Sequence, residues 1–80
     1  SVQAELTKYF ANRSQRESYH PCVTWYEEGG FFCRPLSTKG SGDVVAYSKA
    51  NSYLVCPADV TEILEGEQAT VILRDDYYLT

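Results

Sequence analysis

Among the 80 residues there is no methionine, one histidine, one tryptophan and three prolines, and several of these scarcities exclude a class of chemistry. A lone histidine, His20, leaves no histidine pair to hold a metal ion. The three cysteines, Cys22, Cys33 and Cys56, lack the short Cys or His spacings that announce a zinc site. Their odd number and wide separation fit buried, reduced thiols of a cytoplasmic protein. No apolar run is long enough to span a bilayer, and no basic start followed by an apolar centre marks a signal peptide. Positive charge is also short. Seven Lys and Arg against eleven Asp and Glu give a net charge of −4, and no basic patch for phosphate backbones, so nucleic-acid binding is not expected. Ser1 stands where an initiator methionine would, which reads as a piece of a longer chain or a processed product.

What is present suits a single small globular domain over 1–80, with its core over about 2–74 and a tail at 75–80. The apolar fraction of 44% is too high for a disordered chain, and seven tyrosines beside few leucines tilt the composition toward strands. At this size folding buries only about 60–70% of the extended chain's surface, so the core is modest. The stretch 39–51 organises the rest. Gly40-Ser41-Gly42 permits a tight reversal, Asp43 suits a helix N-cap, and Asn51 suits the left-handed residue that ends the helix.

Around that helical turn the chain reads as β-structure. Val2, Ala4, Leu6, Lys8 and Phe10 alternate as in a strand, while Val2, Leu6, Tyr9 and Phe10 equally make a helical stripe. Residues 12–18 are polar and read as a loop. Tyr19 to Tyr26 is aromatic and β-branched, with His20-Pro21 placing its start at an edge or bulge. Glu27-Glu28-Gly29-Gly30 reads as a hairpin turn returning through Phe31 to Leu36. Centred on Glu28-Gly29, that turn sets Cys33 opposite Thr24, which disfavours a Cys22–Cys33 disulfide. Tyr53 to Cys56 is a short buried strand stopped by Pro57. Ala58 to Leu64 is a connector with room for a helical turn, Glu65-Gly66-Glu67 is a turn, and Gln68 to Arg74 is a last strand. The sum is an all-β fold: about five short strands and one short helix, as a small barrel or folded ribbon.

Few residues offer chemistry. Gly40-Ser41-Gly42 beside Lys39 gathers backbone N–H groups and one cation, the elements of a small anion site, although Asp43 opposes it. Arg13 and Arg16, with Lys39, would extend such an edge. Cys22 and His20 share a strand face, yet a nucleophile and its base also need a cleft and an oxyanion site. Trp25, Phe31 and Phe32 are most simply core, and an exposed one among them would mark a contact surface. No catalytic residue and no metal ligand is expected in these eighty residues.

Gln15-Arg16-Glu17, then a strand, then Lys39-Gly40-Ser41-Gly42, Ala50-Asn51, Leu54-Val55, Pro57 and Leu64-Glu65-Gly66-Glu67 follow one another in a characteristic order. That order, over about residues 2–74, resembles the C-terminal domain (domain IV) of the MoeA/gephyrin family, the molybdopterin molybdenumtransferases. The resemblance implies a β-clip or incomplete β-barrel, and a strand at the N-terminus. It implies a cytoplasmic, homodimeric parent enzyme that inserts molybdenum from molybdate into adenylylated molybdopterin with magnesium. This domain would bind no cofactor by itself and would wall the cleft beside the remaining domains of the parent. Arg16, Lys39, Gly40, Ser41 and Gly42 match cleft-lining positions by that resemblance. The chain departs from the family at His20, where an arginine is common, and at Ser14-Gln15, in place of a Gly-Arg pair. The alternative expectation is an interaction module of the same fold, gripping a peptide with Tyr19, Tyr53, Phe31 and Phe32.

Overall fold

The computed structural model describes residues 1–37 and 44–74, and for residues 44, 45 and 47 the backbone alone. Strand β1 (Val2–Leu6) takes the alternating reading of the N-terminus. Ala4 and Leu6 are fully buried and Val2 packs at their margin. The helical stripe fails because Tyr9 is half exposed and the chain bends after Leu6. A separate short strand β2 (Phe10–Ala11) follows, pairing with β6 (Glu62–Ile63). The connector 58–64 therefore contributes a strand and a turn closed by Val60 N–H to the Pro57 carbonyl, in place of a helical turn.

Strand β3 (Ser18–Glu27) is the longest and changes partner midway. Its first half pairs with β5 (Ser52–Cys56) through Ser18↔Cys56 to Cys22↔Ser52. Its second half pairs with β4 (Gly30–Pro35) through Cys22↔Pro35 to Glu27↔Gly30. Pro21 thus sits one residue before the first β3–β4 pair, where its carbonyl accepts from the Leu36 N–H at 3.0 Å and its missing N–H falls beyond the paired residues of β4, where it costs least. The hairpin register is the expected one, with Thr24 opposite Cys33 and Trp25 opposite Phe32. Glu28 (φ 51°) and Gly29 (φ 85°) both take positive φ, the requirement of a type I′ turn. Strand β7 (Gln68–Leu73) pairs antiparallel with β5 and β1, and a short parallel contact of β1 with β4 closes the ring in the order β1-β4-β3-β5-β7.

The narrow interior decides the core. Ala4, Ala69, Cys22, Cys33 and Cys56 fill it beside Leu6, Leu54 and Val71, since a five-stranded ring holds small side chains best. Trp25, Phe31 and Phe32 are consequently not core. Trp25 and Phe32 stack outside the hairpin with centroids 6.1 Å apart, and Phe31 packs at the core's edge against Tyr26. All three cysteines are free and buried.

Helix α1 (Val44–Lys49) enters β5 through Ala50 and Asn51. Asn51 does not take the left-handed conformation expected of it, since among described non-glycine residues only Gln15 and Glu28 have positive φ. Its carboxamide instead works as a surrogate peptide. The Thr24 N–H donates to Asn51 Oδ1, and Asn51 Nδ2 donates to the Thr24 carbonyl, both at 2.8 Å, so the β5 ladder continues along β3 after its backbone has left. The helix end is closed by the residue that follows β7: Arg74 Nη1 donates to the Ala50 carbonyl at 2.7 Å. Beside this junction the buried Ser52 hydroxyl meets Thr24 Oγ1 at 2.7 Å and Asn51 Oδ1 at 2.8 Å.

Candidate functional site

The loop between β2 and β3 is built on one buried amide. Asn12 Oδ1 accepts from the Ser14 N–H and, at 2.8 Å, from its hydroxyl, an Asx turn that bends the chain at once. Asn12 Nδ2 lies 3.1 Å from the Arg16 and Val60 carbonyls, tying the loop to the β5–β6 connector. Gln15, at φ 58°, completes the reversal. Arg16 leaves this fixed turn as an exposed side chain, and Arg13 leaves it on the side of a hollow.

That hollow, about 440 Å³, lies at the ends of β1, β2 and β4 and the start of β3, among Lys8, Tyr9, Phe10, Arg13, His20 and Ser37. His20 Nε2 sits 2.6 Å from the Leu36 carbonyl. A carbonyl only accepts, so Nε2 carries the proton. Burial pushes the imidazole below its ordinary pKa, against the opposing pull of that carbonyl, and its ring rests on Phe10 with centroids 4.7 Å apart. His20 therefore contributes an uncharged surface at neutral pH. Lys8 Nζ donates to Ser37 Oγ at 3.3 Å. Tyr9 donates to Glu62 at 2.8 Å, and that bond is the main reason its phenol stays protonated above the usual range. The net positive charge of the hollow comes from Lys8 and Arg13.

A second hollow, about 360 Å³, has the opposite character. Val55, Val60, Ile63 and Ala69 form its apolar part, Glu62 and Glu67 its charge. An anion is repelled there.

The expected site residues divide accordingly. Arg16 is exposed on the Asn12 turn, while Lys39, Gly40, Ser41, Gly42 and the Asp43 cap lie outside the described residues. Arg13 does join a positive hollow, with Lys8. Cys22 and His20 do not form a pair. The Cys22 sulfur is fully buried, 3.2 Å from Ser52 Oγ, whereas His20 engages Leu36 and Phe10. The neighbouring Cys33 thiol, then the Ser52 and Thr24 hydroxyls, draw the Cys22 pKa down to about 7 against its burial, and Cys33 is pushed far up in return. A sulfur closed off from solvent attacks nothing. Among the described residues no cluster of three or more His, Cys, Asp or Glu is arranged to hold a metal ion. Sequence reasoning missed Asn12, whose signal was Asn-x-Ser at the head of a polar loop, and Lys8, which alternation assigned merely to a strand face.

Comparison with known proteins gives the family and the fold. A family model described as the MoeA C-terminal region (domain IV) matches residues 3–73. The chain superposes on the crystal structure of the molybdopterin biosynthesis MoeA protein from Pyrococcus horikoshii OT3 with a TM-score of 0.72 and 28% identity. That likeness covers 90% of this chain and 18% of the other. No curated protein sequence matches.

Proposed function

The chain belongs to the MoeA C-terminal region (domain IV) family, and on that footing we propose that it serves a molybdopterin molybdenumtransferase by walling the cofactor cleft. The observation that carries the proposal is the fixed presentation of Arg16. The Asn12 amide holds the Arg16 carbonyl, so the side chain leaves a turn whose geometry is set before any ligand arrives. An arginine so presented offers a planar fork to an oxyanion from a backbone that needs no reordering, and only its side chain is ordered on binding. Arg16, with Lys39, Gly40, Ser41 and Gly42, lines the cleft, and the residues that carry the chemistry lie in other domains of a dimeric, cytoplasmic parent. Molybdopterin, molybdate and magnesium are handled by that parent as a whole.

The test uses the parent chain. Adenylylated molybdopterin and molybdate are supplied to it with Arg16→Ala and Ser41→Ala together, and molybdenum insertion is measured. A loss of at least tenfold is expected, while the isolated eighty residues turn over nothing. Undiminished insertion by the double variant removes the cleft role.

A second reading, a module that grips a peptide, is favoured by one feature. Tyr19 and Tyr26 are 51% and 64% exposed, and the Trp25–Phe32 stack lies outside the barrel. Chemical-shift mapping with the remaining domains of the parent separates the readings, because the peptide reading places the shifts on these aromatics and the cleft reading places them around Arg16.

A further inference from the structure

We propose that Asn12 is a positioning residue for Arg16, fixing where that arginine meets the cleft without touching the ligand, with the Ser14 hydroxyl as its relay. The inference rests on the cleft reading of Arg16 and adds to it the residues that set the arginine in place.

The Asn12 side chain is 7% exposed and spends its whole hydrogen-bonding capacity inside the protein. An amide has two N–H donors and an oxygen with two lone pairs. The donors meet the Arg16 and Val60 carbonyls at 3.1 Å each, with the Pro57 carbonyl at 3.4 Å beside them. The oxygen accepts from the Ser14 N–H at 3.3 Å and from the Ser14 hydroxyl at 2.8 Å. Only one orientation of the amide fits, because the flipped one sets its oxygen against carbonyls and its N–H groups against donors. The backbone of Asn12 is held as well, its N–H donating to the Thr61 carbonyl at 2.8 Å. One residue therefore clasps the 12–16 turn to the 57–61 connector, and Arg16 is placed against a second part of the fold as well as its own loop.

Ser14 closes the turn from within. Its Oγ accepts from the Arg16 N–H at 3.3 Å and lies 3.2 Å from the Arg16 carbonyl. Both backbone groups of Arg16 are thus engaged, the N–H by Ser14 and the carbonyl by Asn12. The guanidinium is different. Among the described residues it makes no hydrogen bond or ion pair, so its starting point is set by the backbone alone. A turn released from the clasp has to be ordered each time a ligand binds. That cost falls on substrate and transition state alike, so it raises KM and leaves kcat as it was.

The test is a double-mutant cycle in the parent chain between Asn12→Asp and Arg16→Ala, with KM for adenylylated molybdopterin and kcat for molybdenum insertion measured separately. Aspartate has the size of asparagine and still accepts from Ser14, but donates to neither carbonyl. Asn12→Asp should raise KM about fivefold, the scale of one lost hydrogen bond, with kcat unchanged. Once Arg16 is alanine, the same substitution should alter KM no further. Ser14→Ala should raise KM about twofold, and Ser14→Thr, which keeps the hydroxyl, should not. Hydrogen exchange of the Arg16 amide in the parent should quicken in Asn12→Asp and in Ser14→Ala. If Asn12→Asp does not fold, Ser14→Ala takes its place in the cycle. An equal rise in KM in the Arg16→Ala background shows a merely structural role and overturns the inference. So does an unchanged KM in Asn12→Asp while Arg16→Ala alone weakens binding, an outcome that leaves the cleft reading standing. If Arg16→Ala itself changes neither constant, the cleft reading has failed and the positioning role falls with it.

Discussion

Replacing Asn51 by alanine removes three hydrogen bonds at once: from the Thr24 N–H, to the Thr24 carbonyl, and from the Ser52 hydroxyl, each at 2.8 Å. At about 1 kcal/mol net for each, the loss is about 3 kcal/mol, and it rises where a backbone group is left dry. Water reaching this half-buried junction recovers part of it, so about 2–4 kcal/mol is expected. A chain of eighty residues has only about 4–12 kcal/mol in total. The melting temperature should accordingly fall by roughly 8–32 °C, at about 4–8 °C for each kcal/mol. Urea denaturation gives the free energy directly. The informative companion is Asn51→Gly. If Asn51 were a left-handed helix cap, glycine would serve at least as well. Because its role is to extend a ladder, glycine must cost as much as alanine or more. A neutral Asn51→Gly, or a loss below about 1 kcal/mol in Asn51→Ala, refutes the surrogate-peptide argument.

Three further outcomes follow from the same structure. Glu28 holds positive φ without the local hydrogen bonding that lets asparagine do so, and Glu28→Asn should stabilise the hairpin by about 0.5–1 kcal/mol, read from the same urea curves. His20 has its pKa lowered by burial, so the unfolded chain binds its proton first as pH falls. Stability is then fully present above the unfolded value of about 6.5 and is lost as pH drops below it towards the folded value; denaturation at pH 7.5 and 5.5 should show the loss, and His20→Gln should abolish it. Cys22, Cys33 and Cys56 are all buried, so a thiol reagent should label the native chain only at the rate of global unfolding and all three sites in denaturant. Rapid labelling of native Cys22 would contradict the closed core.

Where local pattern and tertiary need coincide, the fold was legible. The 19–26 strand, its Glu28-Gly29 turn and the thiol left without a disulfide partner all follow from period-two alternation and positive-φ demand. The 65–67 turn is of the same kind, with Gly66 at φ 92° and the Leu64 N–H capped by the Glu67 carboxylate. Strands β2 and β6 are two residues each, too short to carry a period, and exist because Asn12 and Thr61 tie their ends together. The outward Trp25 was illegible for another reason. Hydrophobicity says that a tryptophan prefers burial, but only the ring's strand number says that its interior is too narrow for one. Asn51 misled because asparagine's conformational tolerance and its amide chemistry look alike in sequence. Of the site, Arg13 and Arg16 could be named but not separated; the Asn12 turn sends them to different surroundings.

The most direct test of the cleft reading compares Arg16→Ala with Arg16→Lys in the parent chain, with KM for adenylylated molybdopterin and kcat for molybdenum insertion measured separately. A planar fork that holds an oxyanion predicts that KM rises about tenfold or more in alanine, with only partial recovery in lysine, and that the domain's melting temperature is unchanged. Unaltered KM and kcat in both variants would contradict it.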